Sequence, residues 1–132
     1  MTLKEIVVKV IPHKDQRYET VGDWIFNQDN SRLTVFVSSM GNWKFELLVA
    51  RHEIDEAMLC VDRGIDEKKV SAFDLWYEGR RLCKDPECQG EPGDHAQAPY
   101  RKEHFFATTA ERMLAAELNV NWEDYDAAVQ AL

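Results

Sequence analysis

His52, Glu53 and Glu56 stand in the stretch Asn42–Gly64, NWKFELLVARHEIDEAMLCVDRG, in the order H-E-x-x-E. Residues four apart on an α-helix share a face, with Cβ atoms ~6 Å apart. His52 and Glu56 therefore point at one object, and Glu53 sits on the flank of that face. An imidazole nitrogen and a carboxylate oxygen that converge this way are ligands for a divalent cation. The order is that of the H-E-x-x-H zinc helix, with a glutamate in place of the second histidine.

A catalytic zinc takes three protein ligands and keeps one position for water. The third ligand must come from elsewhere in the chain. His104, in the YRKEHFF segment, is the first choice, His95 in GDH the second, and Glu111 the third. His52, Glu56 and His104 together give a two-histidine, one-glutamate donor set, the composition found in metallopeptidases. Glu53, beside the first ligand, is expected as the general base for the metal-bound water, whose pKa such a zinc lowers to about 7. Asp74 is expected to accept the distal N–H of a ligating histidine. Tyr100, or the loop around it, is expected to face a substrate oxyanion.

Each of these residues has a plainer role to set beside the chemical one. His52 and Glu56 can form a hydrogen-bonded pair in a helix–helix seam. Glu111 can pair with Arg51 or Arg112, and Asp74 can be a cap or a paired acid. A rival metal site also exists on paper: Cys83, Cys88 and His95, with Asp85 or Asp94 as a fourth ligand, since Cys and His donors favour structural zinc.

The elements that position these groups are legible from pattern. Residues 4–11, KEIVVKVI, alternate as a strand with one buried face and stop at Pro12. Residues 13–20 read as a loop. Trp24-Ile25-Phe26 and RLTVFVSS flank the turn-rich NQDNS, a hairpin signature. Asn42 is a fitting N-cap for the motif helix and Gly64 a fitting C′ residue. Within that helix Phe45, Leu48, Val49, Leu59 and Cys60 form an apolar stripe that His52 and Glu56 interrupt. Burying an unpaired carboxylate costs several kcal/mol, so Glu56 needs a cation nearby.

A second helix is expected over 66–79, with Val70, Phe73, Asp74 and Tyr77 on one face. Residues 80–99 carry Pro86, Gly90, Pro92, Gly93 and Pro99 and read as irregular, and a loop of that length is usually functional or mobile. A third helix is expected over 100–118, its core stripe made by Phe106, Ala110, Met113, Leu114 and Leu118. A short fourth begins after Asn121, anchored by Trp122, Tyr125 and Val129.

Composition sets the outer bounds. The 132 residues, 45% of them hydrophobic, suit a single domain, 1–132, with a real core. A formal net charge of −8 argues against a nucleic-acid partner, whose binding is driven by cations. No apolar run is long enough to span a bilayer, so no membrane association is expected. The N-terminal segment reads as a strand and not as a signal peptide. A cytoplasmic setting with Cys60, Cys83 and Cys88 as reduced thiols follows as an expectation.

Strand, hairpin, H-E-x-x helix, irregular loop and second helix, in that order, resemble a minimal zincin, the metallopeptidase superfamily that packs its metal helix against a small twisted sheet. The stretches RYETVGDWIF, HEIDEAMLC, VSAFDLWYE, EPGDHAQAPYRKEH and AERMLAAELNVNWEDY also resemble an uncharacterised family of small phage and prophage proteins. The resemblance implies a zincin-like fold and a phage or bacterial setting, and a zincin sheet edge can hold an extended peptide or protein segment by strand addition.

The fold expected is α+β: an antiparallel sheet of about three strands on three to four helices. The function expected is a zinc-dependent hydrolase of metallopeptidase type. The alternatives are a non-catalytic metal-binding or interaction protein of phage origin on the same scaffold, and a structural domain whose acids are simply paired.

Overall fold

In the computed structural model, which describes residues 2–132, the chain is α+β with three strands and four α-helices among the described residues. The strands are β1 (Glu5–Ile11), β2 (Gly22–Phe26) and β3 (Arg32–Ser38). The helices are α1 (Trp43–Asp62), α2 (Glu67–Leu82), α3 (Arg101–Glu117) and α4 (Trp122–Gln130). No helix is long and apolar enough to cross a membrane among the described residues.

The sheet order is β1-β3-β2. β2 and β3 are the expected antiparallel hairpin, but β1 runs parallel to β3, so the sheet is mixed and not antiparallel throughout. The reason lies in the connection. Residues 12–21 carry the chain past β3's place, which leaves the centre of the sheet to the strand that pairs on both sides. That strand is the most apolar, with Leu33, Val35 and Val37 fully buried.

α1 lies across β3 and β2, and α3 packs against α1. Leu48, Val49, Ala57 and Cys60 of α1 meet Trp24, Leu33, Val35 and Val37 of the sheet in one core. This cover does not reach β1. Ile6, Val8 and Val10 stand opposite Leu33, Val35 and Val37 in register and so lie on the same face, yet they are 44, 43 and 49% exposed. The buried face expected for the first strand is thus left open, because no helix extends over the sheet's outer edge.

The helix ends follow local chemistry. Asn42 Oδ1 accepts from the backbone N–H of Lys44 and Phe45, and Gly64 takes the left-handed φ of 68° that glycine tolerates just past a helix. Asp66 and Asn121 cap α2 and α4 in the same way. α2 continues three residues beyond the expected end, through Arg80 to Leu82, since Gly79 costs a helix only about 1 kcal/mol. The irregular segment after it holds two short 3₁₀ turns, Pro86–Cys88 and Pro92–Asp94.

α3 is rotated relative to the expected stripe. Phe106 is 54% and Met113 68% exposed, while Glu103, His104, Ala107, Glu111 and Ala115 are buried. Polar groups occupy the inward face because they find partners there. Glu103 takes Arg63 of α1's end at 2.6 Å, and His104 and Glu111 enter the site between the helices.

Candidate metal centre

α1 presents His52 and Glu56 on one face, one turn apart, and α3 presents His104 opposite them. Three donor atoms converge. His52 Nε2 lies 3.2 Å from Glu56 Oε2 and 3.1 Å from His104 Nδ1, and His104 Nδ1 lies 3.0 Å from Glu56 Oε2. The three atoms form a nearly equilateral triangle. Tetrahedral zinc with bonds of 2.0–2.1 Å spaces neighbouring ligands by about 3.3–3.4 Å. A small opening of the triangle would bring its edges to that spacing, so these three residues could hold such an ion. All three residues are buried, and the donor set suits zinc.

Two of the three donors are held by a further hydrogen bond. His52 Nδ1 faces Glu111 Oε1 at 2.8 Å. A carboxylate accepts, so Nδ1 carries the hydrogen and Nε2 is left to ligate. Glu111 is fixed in turn by the Tyr125 hydroxyl, which donates to Oε2 at 2.5 Å. The Trp24 indole N–H donates to Glu56 Oε1 at 3.1 Å, which leaves Oε2 as the oxygen turned to the triangle. Glu111, the third choice as ligand, is thus an orienting group for His52.

The electrostatics follow from this crowding. Burial alone raises a carboxyl's pKa, but hydrogen bonds and charge from His104 and His52 outweigh it and hold Glu56 down to about 2. Burial alone lowers an imidazole's pKa, but the contacts to Glu56 and Glu91 push His104 up to about 10. His52 rises well above its ordinary value for the same reason, through Glu111 and Glu56.

Glu53 is half-buried and lines a cleft of about 330 Å³ together with His52, Glu56 and His104. That volume is at the small end of ligand pockets. Burial and the neighbouring charge of Glu56 push the Glu53 carboxyl well above the usual carboxylate range. Gly22 makes room for it: a Cβ there would lie 2.8 Å from Glu53 Cγ and Oε1.

Asp74 does not accept from a histidine. Tyr18 donates to Oδ2 at 2.9 Å and Tyr100 donates to Oδ1, so both carboxylate oxygens are taken by phenols. Burial nevertheless pushes Asp74 up to about 6. Tyr100, engaged there, is not free to meet an oxyanion. His95 is elsewhere: its ring packs among Phe73, Trp76 and Tyr77, and its Nδ1 accepts from the Gln97 backbone. Cys83, Cys88 and His95 form no group close enough to hold an ion among the described residues. His13, in the first loop, contacts Ser38 and Glu19.

Strand addition beside the centre meets an obstacle. The outward N–H groups of β2 are those of Gly22, Trp24 and Phe26, and each already has a side-chain acceptor: Thr20, Asp23 and Glu67. The edge next to the site is closed by the chain's own side chains. The open edge belongs to β1, none of whose residues lines the cleft.

Four contributors escape a reading by motif: Trp24, Tyr125, Glu91 and Gly93. Glu91 Oε2 lies 2.9 Å from His104 Nε2. Gly93 lies flat on the His104 ring, where a Cβ would come within 2.2 Å of Cγ. The one signal available for that pair was the EPGDH segment itself, whose Pro-Gly step forces a tight turn. The chain matches no family model, no curated protein and no solved structure, so the reading of this centre rests on its own residues.

Proposed function

We propose that the chain is a zincin-like zinc hydrolase, with His52, Glu56 and His104 holding the ion and Glu53 as the base. The observation that carries this is the triangle of Nε2, Oε2 and Nδ1 with edges of 3.0–3.2 Å, with His52 backed by Glu111 and Glu56 by Trp24. Zinc in such a set supplies Lewis acidity and makes water a nucleophile near neutral pH.

The chain's residues do the rest. Glu53, with raised proton affinity and an open side toward the cleft, accepts the proton from the attacking water and returns it to the leaving group. Glu111 and Tyr125 keep His52 in the ligating tautomer. Trp24 keeps Glu56 to one oxygen. The substrate class that fits is a short peptide segment entering the 330 Å³ cleft end-on, because the β2 edge is taken.

The experiment is hydrolysis of a mixed-sequence peptide library by zinc-loaded protein, read by mass spectrometry, with Glu53→Gln as control. Cleavage that drops at least about 100-fold in the variant, at unchanged zinc content, supports the reading. Equal turnover by both proteins refutes it.

A second reading has its own observation. Ile6, Val8 and Val10 on β1 are exposed on a strand with a free edge, which suits a zinc-stabilised interaction module, as in an accessory protein of a phage. In that case zinc is bound and no peptide is cut.

A further inference from the structure

His104 Nε2 is buried without an aligned hydrogen-bond partner. The residue is only 5% exposed, and the ring's other nitrogen belongs to the triangle. Two carboxylates stand at Nε2: Glu91 Oε2 at 2.9 Å and Asp94 Oδ1 at 3.4 Å. Glu91 is near enough to accept a hydrogen bond but lies off the line of the ring N–H. Two atoms that share a hydrogen point along one line. Two atoms that share an ion sit about 3 Å apart and both point at the ion instead.

The loop is built to bring these oxygens together. Glu91 precedes the 3₁₀ turn Pro92–Asp94 in extended backbone and Asp94 ends it, which leaves one oxygen of each and a His104 nitrogen within 4.8 Å of one another. Gly93, between them, lets the turn's backbone rest on the imidazole face, where any Cβ would collide. The carboxylates are solvent-facing, with side chains 53 and 69% exposed, while the imidazole is 7% exposed. One buried nitrogen and two wet oxygens make a cation site open to solvent.

We propose that Glu91, Asp94 and His104 Nε2 form a second zinc site, so that His104 bridges two ions through its two ring nitrogens. This rests on the first site as read above. An oxygen-rich set with one imidazole accepts zinc, and its solvated carboxylates make it the weaker of the two. Ligation through both nitrogens would leave the ring without an N–H, the Nε2 proton passing to the buffer as the second ion binds. The second ion ties the 91–94 turn to α3 across the mouth of the centre.

The test is zinc titration of chelator-stripped, reduced full-length protein by calorimetry. Zinc per chain is then measured by elemental analysis after equilibrium dialysis at fixed free zinc. Wild type is expected to take up two ions per chain, in a tight and a weaker step. The double variant Glu91→Gln/Asp94→Asn, whose sites are exposed, is expected to take up one ion in a single step, weakened by up to about 10-fold because Glu91 also stands at His104 Nε2. His52→Ala is expected to weaken the tight step at least about 10-fold. One ion in wild type, with an identical titration of the double variant, overturns the second site alone and leaves Glu91 as an orienting group. Two ions in both proteins place the second zinc elsewhere and overturn it as well. Loss of both steps in the double variant overturns it too. No zinc in any protein removes the first site along with the second.

Discussion

His52 Nε2 and His104 Nδ1 meet nitrogen to nitrogen at 3.1 Å, and both also lie against Glu56 Oε2. Two imidazole nitrogens at that distance can share at most one hydrogen. A divalent cation would satisfy all three donors at once, which a single proton cannot do.

Under the proposed zinc site, protons would compete with the ion for this cluster, and the competition would give opposite pH slopes. His104 is raised from 6.5 to about 10. Its share of stability in metal-free protein is therefore complete below about 6.5 and is lost as pH rises through about 10. Glu56 is lowered from 4.5 to about 2, so its share is present above about 4.5 and lost as pH falls through about 2. Glu53, raised above 4.5, costs stability as pH climbs past that value. Metal-free protein should melt highest between about pH 4.5 and 6.5. Zinc must displace the imidazole protons, so its affinity and the thermal shift it produces should grow from pH 6 to 8. Melting curves with and without zinc across this range check both slopes.

Glu56→His restores the H-E-x-x-H order. The histidine replaces one donor by another, and zinc affinity is expected within about tenfold of wild type. Glu56→Leu removes a donor and should lower affinity at least about 100-fold, as should any change that leaves two ligands in place of three. Competition against a zinc-binding dye separates the two outcomes.

How much of this was legible in the chain varies by element. The H-E-x-x-E helix, its Asn42 cap and the β2–β3 hairpin follow from short-range pattern, and the structure carries them as expected. His104 was identifiable because few histidines exist to choose from. The mixed sheet was not legible, since strand direction is decided by a connection whose sequence shows only polarity. The rotation of α3 misled for a physical reason. Of the expected stripe Leu114 and Leu118 do pack on the core, but Phe106 and Met113 face out, because His104 and Glu111 have partners inside. Asp74 is similar: its burial was legible, but its two tyrosine partners come from residues 26 and 56 positions away.

Gly93→Ala places a methyl group 2.2 Å from His104 Cγ, closer than real Cβ atoms come. Either the ring or the 91–94 turn must move. Zinc affinity should fall by about 10- to 100-fold, as for other changes that disorient a ligand. The fold should survive, because the turn lies outside the core between α1 and the sheet. Circular dichroism alongside dye competition tells a displaced ligand from an unfolded protein.

Tyr125→Phe removes the hydroxyl that donates to Glu111 and leaves the ring packed on Phe45 and Trp122. A buried carboxylate that loses a hydrogen bond costs about 1–3 kcal/mol. The variant should be less stable by that amount in urea and should bind zinc about 10-fold more weakly, since His52 loses its fixed tautomer. A change in stability with no change in zinc affinity would separate Tyr125 from the site.

The proposed ligands are two imidazoles and a carboxylate, with no thiolate. X-ray absorption at the zinc edge, on protein loaded with one ion per chain, reads the ligands themselves. Nitrogen and oxygen neighbours are expected at about 2.0–2.1 Å with the outer-shell scattering of two imidazoles, and this pattern is expected to be lost in His52→Ala. A sulfur shell at about 2.3 Å would move the metal to Cys83 and Cys88 and overturn the proposed site.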